Sequence, residues 1–226
     1  MSKNVFDIKG ELLSNAYPGR GIIFGRTLDN KQNVVAYFIM GRSENSRNRV
    51  FVETEDGIRT EAYDPSKMTD PSLIIYHPVR QCGGKLVVTN GDQTDTIRDF
   101  LRDGKSYIDA LRTREFEPDA PNYTSRISGV INEDGSYSLS ILKNFTSDRT
   151  SNKRFFYEYD KPVPGLGHFI HTYQCDGDPL PPFRGEPKCI RIEKPIKQFT
   201  EMLWTSMNEQ NKVALFVRYI DLATGA

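Results

Sequence analysis

The chain has 226 residues, of which 37% are hydrophobic and 27% charged, so it can bury a sizeable core and is not a disordered segment. Lysine plus arginine and aspartate plus glutamate each number 30, and this balance excludes a whole-surface attraction to nucleic acid. The three cysteines form no CxxC pair, the first residues hold no apolar signal core and no run approaches the ~20 apolar residues of a membrane span, so we expect a reduced, cytoplasmic protein without a membrane partner.

Strand-like runs dominate the chain, and most of them are bounded by Gly, Pro, Asn or Asp. Two apolar runs on either side of the polar turn 29–32 predict a hairpin. The predicted strands of the first half are 21–28, 33–40, 50–53, 73–76 and 85–89. Those of the second half are 125–131, 136–142, 154–159, 168–173 and 213–220.

Helical periodicity is rarer and occurs in two places. Apolar residues at i, i+3 and i+4 predict a helix over 94–101 that resumes over 106–112, and a late helix over 197–208. Strands outnumber helices too far for a doubly wound parallel sheet, so the pattern predicts an α+β fold of stacked antiparallel sheets with helices outside. No repeat or linker is evident, which predicts one domain over 1–226, and the Pro/Gly-rich loops 160–167 and 176–187 are candidate lids.

Three arginines, Arg42, Arg47 and Arg49, crowd the turn GRSENSRNR that follows the predicted strand 33–40. Guanidinium groups suit a phosphate or a developing oxyanion, because their planar fork matches such oxygens. Taken alone, the turn is more typical of a solvated loop between two strands. A functional interpretation therefore needs support from elsewhere in the chain.

The turn TNGDQTD, residues 89–95, joins a predicted strand to a predicted helix. Asn90-Gly91 gives a tight turn, Thr94 or Asp95 can cap the helix, and a helix N-terminus can receive an anion. An ordinary loop followed by a helix cap accounts for most of these residues but not for Gln93. The amide of Gln93 could hydrogen-bond a base or a carboxamide. The turn lacks the GxxxxGK[ST] pattern, so it is not a Walker loop.

Carboxylates and a fourth arginine follow in the run REFEPDAPNYTSRI. Glu115 and Glu117 alternate before a proline, and such carboxylates are usually solvated. One of them beside Arg42 could act as an acid or a base. Arg126 then enters a strand and could add another anion-binding group.

Two histidine contexts bear on chemistry. Tyr76 and His77 precede Pro78, which favours extended backbone, so their side chains are expected to point to opposite faces. His168 and His171 lie three apart on a predicted strand and should also face opposite sides. We therefore predict no metal site there.

Several short motifs share an order and spacing that together are fairly specific. They are Gly25-Arg26, AYF at 36–38, GRS at 41–43, Asn48-Arg49, the strand into Tyr76, the VVTNG turn, the EPDxPNYTxRI run at 117–127, and the late LW helix followed by NKVALFV. Through these residues, which span 18–219, the chain resembles the archaeal-type IMP cyclohydrolases.

The resemblance implies a four-layer αββα sandwich like that of the N-terminal nucleophile hydrolases. It also implies closure of 5-formamidoimidazole-4-carboxamide ribotide to IMP in purine nucleotide synthesis, with no metal or organic cofactor. The ligand would be a small purine ribotide rather than nucleic acid, and a homo-oligomer is left open. The implied catalytic residues are Arg42, Tyr76 and Glu117, and the implied substrate-binding residues are Arg47, Arg49, Asn90, Gly91, Asp92, Gln93 and Arg126.

Two other functions remain open from the sequence. The implied fold allows an N-terminal nucleophile amidohydrolase in which removal of Met1 exposes Ser2. Against it, the chain begins at Met1 and its first convincing strand starts only near Gly21. A nonenzymatic purine-nucleotide-binding module would keep the arginine and Asn-Gly turns without needing Tyr76 and Glu117 to converge.

Overall fold

The computed structural model describes residues 5–144 and 151–226, in which an α+β fold is built from two antiparallel sheets and five α-helices. The strands are β1 (Arg20–Arg26), β2 (Gln32–Met40), β3 (Arg49–Thr54), β4 (Gly57–Ala62), β5 (Val79–Cys82), β6 (Lys85–Thr89), β7 (Arg126–Ile131), β8 (Tyr137–Asn144), β9 (Asn152–Tyr159), β10 (Leu166–His171), β11 (Lys188–Arg191) and β12 (Lys212–Asp221). The helices are α1 (Ile8–Ser14), α2 (Glu44–Arg47), α3 (Gln93–Arg102), α4 (Tyr107–Arg112) and α5 (Ile196–Ser206).

The two sheets differ in how the chain passes through them. The five-stranded sheet has the order β11-β10-β1-β2-β12 and so joins the first strands to the last ones. The seven-stranded sheet runs from β3 to β9 in chain order. The predicted hairpin 21–40 is confirmed as β1 and β2, whose register pairs Arg20 with Ile39 and Arg26 with Asn33.

The apolar runs of β1 and β2 are nearly continuous because both faces of their sheet are buried. Alternate side chains of a strand point to opposite faces. On β2, Val34, Ala36 and Phe38 pack in a core with residues of α1 and α5. Val35, Tyr37 and Ile39 pack in a second core with residues of the seven-stranded sheet. A third core joins Val87, Val130 and Leu142 to residues of α3 and α4.

The predicted strand 73–76 is wrong, because this segment is a turn that precedes β5. The amides of Ile74 and Ile75 both donate to the Pro71 carbonyl, which curls the chain. The Thr60 hydroxyl lies 2.8 Å from the Ile74 carbonyl and accepts from the Tyr76 amide at 2.9 Å. The Thr60 amide also donates to the Tyr76 carbonyl at 2.9 Å. One residue of β4 thus takes the place of the strand pairing that the apolar residues 73–76 predict, and it fixes Tyr76 in position.

The three predicted helices are confirmed as α3, α4 and α5, with ends that differ by one or two residues. The sequence analysis missed the short elements β4, β5, β11, α1 and α2. The residues of these elements are mostly polar, so the sequence shows little hydrophobic periodicity there. One signal was available, because Asp7 caps α1 by accepting from two of its amides and Ile8 and Leu12 are buried one turn apart. No helix among the described residues is long and apolar enough to cross a membrane.

Candidate active site

A cleft of about 380 Å³ opens beside the start of β1, next to the turn that follows β2. Its walls come from parts of the chain that are far apart in sequence, and they combine aromatic, apolar and charged groups. The lining residues are Tyr17, Arg20, Arg42, Ser43, Asn45, Ser46, Asp70, Leu73, Ile74, Glu117, Asp119, Asn122, Tyr173 and Leu180. Two of the three predicted catalytic residues, Arg42 and Glu117, therefore share one cleft.

Arg42 lies at the solvent side of the cleft, where its side chain is 38% exposed. Its Nη1 donates to Asp176 Oδ1 at 2.8 Å and to the Gly177 carbonyl at 2.9 Å. The guanidinium carbon is 5.2 Å from the centre of the Tyr17 ring. These contacts join the predicted arginine turn to the loop 176–187, although an exposed ion pair of this kind contributes little to stability.

Glu117 is the buried carboxyl of the cleft, with 2% of its surface exposed. Burial raises its pKa to about 7, although the positive charges of Arg20 and Arg126 work against that rise. Asn90 Nδ2 lies 3.5 Å from Glu117 Oε1, and the Glu117 amide donates to the Thr124 carbonyl at 2.8 Å. A carboxyl that titrates near neutral pH can serve as a general acid or a general base.

The predicted turn Asn90, Gly91, Asp92 and Gln93 lies behind Glu117 and is largely occupied by bonds within the protein. Asn90 Oδ1 accepts from the Ile127 amide at 2.8 Å and from Gln93 Nε2 at 3.0 Å. Gln93 Oε1 accepts from Arg126 Nη1 at 2.6 Å. The Asn90 side chain approaches the Glu117 carboxyl, and the four residues of the turn do not contribute to the lining of the cleft.

Arg126 and Asp92 form one ion pair of this turn. Arg126 Nη1 lies 2.7 Å from Asp92 Oδ1, and Arg114 pairs with the other carboxylate oxygen. Gly91 is required here, because a Cβ on it would come within 2.6 Å of Arg126 Nη1 and within 2.7 Å of Gln93 Oε1. The Arg126 side chain is thus committed to the turn.

Tyr76 is buried, and its hydroxyl is 2.7 Å from the hydroxyl of Tyr37, a residue of the core between the sheets. It interacts electrostatically with two buried arginines, Arg20 and Arg49. His77, by contrast, is partly exposed and lies 4.0 Å from Asp95. The structure therefore places Tyr76 near the charged end of the cleft, although its side chain is not among the lining groups.

The remaining arginines of the predicted turn occupy different environments. Arg47 is exposed and lines a neighbouring cavity together with Arg42. Arg49 is 2% exposed, and its Nε donates to the Ser46 carbonyl at 2.8 Å. Burial and the charge of Arg20 lower the pKa of Arg49. Ser46 lines the cleft, so Arg49 stands directly behind one of its walls.

Arg20 is the site residue that the sequence analysis missed. It begins β1, lines the cleft and is 7% exposed. In the sequence it belongs to the segment YPGR, which is typical of a turn entering a strand. Two tyrosines distant from each other, Tyr17 and Tyr173, stack with ring centres 5.7 Å apart and line the same cleft. Arg20 is buried by packing between segments that are distant in sequence, and the local sequence does not show this.

The two strand histidines have separate partners. His168 Nδ1 lies 2.7 Å from the Tyr137 hydroxyl, whereas His171 Nδ1 lies 2.7 Å from the Tyr173 carbonyl. Burial lowers the pKa of His168 to about 4 and that of His171 to about 3, so both are neutral at physiological pH. Across residues 5–144 and 151–226, no group of three or more His, Cys, Asp or Glu is arranged to hold a metal ion.

Ser2, the nucleophile of the amidohydrolase alternative, lies outside the described residues.

The fold and the cleft define a globular α+β protein with an open cleft of small-molecule size, lined by apolar, aromatic and charged groups. A sequence model of the IMP cyclohydrolase-like protein family matches residues 17–225. A Methanococcus aeolicus relative named IMP cyclohydrolase is 30% identical over 166 residues, which cover 70% of this chain and 75% of the relative. A Methanopyrus kandleri relative of the same name is 28% identical over 162 residues, with the same two coverages. The chain belongs to the IMP cyclohydrolase-like protein family, which confirms the resemblance found in the sequence.

Proposed function

We propose that this protein is an IMP cyclohydrolase, which closes 5-formamidoimidazole-4-carboxamide ribotide to IMP with loss of water. The observation that carries the proposal is Glu117, a buried carboxyl with a pKa of about 7 in a cleft that also holds Arg20 and Arg42. The family match and the shared name of the relatives support the same activity. The substrate is an anionic small molecule, which agrees with a cleft lined by arginines and aromatic rings.

Ring closure joins the carboxamide nitrogen to the formyl carbon. One carboxamide proton leaves that nitrogen, and the formyl oxygen gains a proton and becomes a hydroxyl. The hydroxyl then leaves as water together with the proton of the formamide nitrogen, which forms the new C=N bond. A carboxamide nitrogen is a poor nucleophile, so the enzyme must help to move its proton and must stabilise the oxygen that gains charge.

In this scheme Glu117 is the general base that takes the carboxamide proton and returns it to the leaving oxygen. Arg42 and Tyr76 remain the predicted hydrogen-bond donors to the substrate oxygens. Holding the two reacting groups in contact supplies a further part of the rate, because closure is intramolecular. The residues Arg47, Arg49, Asn90, Gly91, Asp92, Gln93 and Arg126 remain predictions for substrate binding.

We also infer the finer fold from the three cores. Helices α1 and α5, the two sheets, and helices α3 and α4 are consistent with the four layers of an αββα sandwich like that of the N-terminal nucleophile hydrolases. The cores share the sheets between them, which supports a single domain over 1–226. No metal or organic cofactor takes part in the proposed reaction.

The proposal is tested by mixing purified protein with the formamido ribotide and following IMP by ultraviolet absorbance with EDTA present. We expect closure well above the uncatalysed rate, and we expect kcat to rise with pH through about 7 as Glu117 ionises. Replacement of Glu117 by Gln or of Tyr76 by Phe should remove turnover while IMP still binds. Glu115→Gln is the matched control, because Glu115 is exposed and two residues away.

Two results would contradict the proposed activity, and a third would contradict the proposed mechanism. Folded wild-type protein that binds IMP without accelerating closure would favour the nonenzymatic nucleotide-binding module. Folded protein that neither binds IMP nor closes the ring would reject a purine ribotide as the ligand. Activity that EDTA abolishes would require a chelatable metal and a different mechanism.

A further inference from the structure

Arg20 has a guanidinium group that is buried and almost without partners. Within the described part of the chain, its side chain makes no hydrogen bond and no ion pair, and its Nε is fully enclosed with nothing to donate to. Arg26, at the other end of β1, is equally buried at 7% exposure. Its guanidinium donates to Asn33, Asn30 and the Gly135 carbonyl at 3.0 to 3.1 Å. Burial alone therefore does not explain the free donors of Arg20.

A second buried arginine interacts electrostatically with the first. Arg49 forms no ion pair among residues 5–144 and 151–226, and its Nη1 is also enclosed without a partner. The two arginines are close enough that the charge of Arg20 lowers the pKa of Arg49. Neither arginine has a carboxylate at ion-pair distance among the described residues, although Glu117 acts on Arg20 electrostatically. Buried cations without such a pair are costly to a folded protein, so their positive potential suits an anionic group from outside the chain.

The surroundings of Arg20 indicate which anionic group this is. Arg20 and Glu117 line the same cleft. The charge of Arg20 is the largest of those opposing the rise in the pKa of Glu117, and Arg20 also interacts electrostatically with Tyr76. It therefore lies at the end of the cleft where the proposed proton transfer occurs. Arg42, the predicted catalytic arginine, lies instead at the solvent side, where Asp176 and Gly177 already occupy its Nη1.

We propose that Arg20 is a further catalytic residue, whose guanidinium donates hydrogen bonds to the formyl oxygen of the substrate as that oxygen gains negative charge. This inference rests on the proposed cyclohydrolase function. When the carboxamide nitrogen attacks the formyl carbon, the π electrons of the formyl C=O bond move onto its oxygen. Glu117 takes the carboxamide proton and passes it to this oxygen, which leaves as water with the formamide proton. Arg20 stays protonated throughout, and Arg49 keeps the region positive from behind the wall.

The test compares the same substitution at the two ends of one strand, about 20 Å apart. Arg20→Lys keeps the charge but loses the fork, and we expect kcat to fall by about 100-fold or more with KM and IMP affinity little changed. Arg26→Lys is the matched control, and we expect it to lower the urea midpoint but to leave kcat close to that of the wild type. Arg20→Met provides a second variant, which should fold at least as stably as the wild type and lack turnover.

The pH profile gives a readout that a merely structural residue would not change. The charged groups acting on Glu117 are Arg20 from β1, Arg126 from β7, Asp119 and Asp92. Removal of the positive charge in Arg20→Met should move the pH dependence of any residual turnover upward. The same profile should stay in place in Arg26→Lys.

Three results would overturn the inference. The first is an unchanged kcat in folded Arg20→Lys and Arg20→Met. The second is a loss of IMP affinity in Arg20→Lys without a matching loss of inosine affinity, which would make Arg20 a phosphate ligand instead. The third is wild-type protein that does not close the ring, which rejects the proposed function itself. In that case the wild type, both Arg20 variants and the Arg26→Lys control all lack activity, whereas a failure of the Arg20 inference alone leaves the wild type and the control active.

Discussion

Replacement of Glu117 by glutamine should stabilise the folded protein above neutral pH while it removes the carboxyl that we propose to be catalytic. Glutamine has the shape of a protonated glutamate and can still accept from the Asn90 amide. Burial raises the pKa of Glu117 from 4.5 to about 7, so the folded state binds this proton more tightly than the unfolded state does. The stability that the protonated carboxyl contributes is complete below about pH 4.5 and is lost as pH rises through about 7.

The size of the effect follows from that shift. At about 1.4 kcal/mol for each pKa unit, the cost of ionising the buried Glu117 amounts to about 3 kcal/mol of folding free energy. Glutamine does not ionise, so Glu117→Gln should match the wild type near about pH 4 and exceed it by about 3 kcal/mol near about pH 8.

Urea unfolding of both proteins at each pH measures this difference, since groups common to both cancel. Glu115→Gln is the control, because Glu115 is exposed and its substitution should leave stability within about 0.5 kcal/mol at either pH. A Glu117→Gln variant that is less stable than the wild type at about pH 8 would show that the carboxylate is well paired in the folded state, and the argument for a neutral-range base would fail.

Two further substitutions test the surroundings of the cleft. In Gly91→Ala, the new Cβ would meet Arg126 and Gln93 at distances below 3 Å, so we expect a loss of about 1–3 kcal/mol in urea unfolding and a lower kcat; full stability would show that the turn can shift freely. Asp176→Ala should change stability by less than about 1 kcal/mol, because both partners of its ion pair are well exposed. It should lower KM, since it frees Arg42 for the substrate, and a raised KM would mean that Asp176 positions this arginine.

The strands of the sheet interior were predictable because burial on both faces leaves long apolar runs. The runs 33–40 and 85–89 became β2 and β6 with almost unchanged ends. The residues 73–76 are also apolar, but they form a turn. The Thr60 side chain, on a neighbouring strand, hydrogen-bonds to the backbone groups of this turn. Such a side-chain contact between distant segments leaves no trace in local periodicity.

Glu115 and Glu117 show that local sequence also could not predict which carboxyl belongs to the site. Glu115 and Glu117 look alike in the sequence, and both were expected to be solvated unless an arginine lay nearby. Only the resemblance to a family singled out Glu117. The structure separates them, since Glu115 is exposed while Glu117 is buried next to Asn90 and Arg20. Its altered acidity is a property of tertiary packing, because burial is the main cause of its raised pKa.

The buried polar groups near the cleft fall into two kinds. Asn90, Gln93 and Thr94 are enclosed but hydrogen-bonded to one another or to nearby backbone, as buried polar groups in a stable protein should be. Arg20 and Arg49 are enclosed with donors left free, which costs stability. An anion that develops in the cleft during a reaction can accept from the guanidinium of Arg20, which lines the cleft, while Arg49 adds positive charge from behind the wall. A free donor that is already in place needs no reorganisation at that moment, and this supports the proposal that Arg20 acts at the reacting end of the cleft.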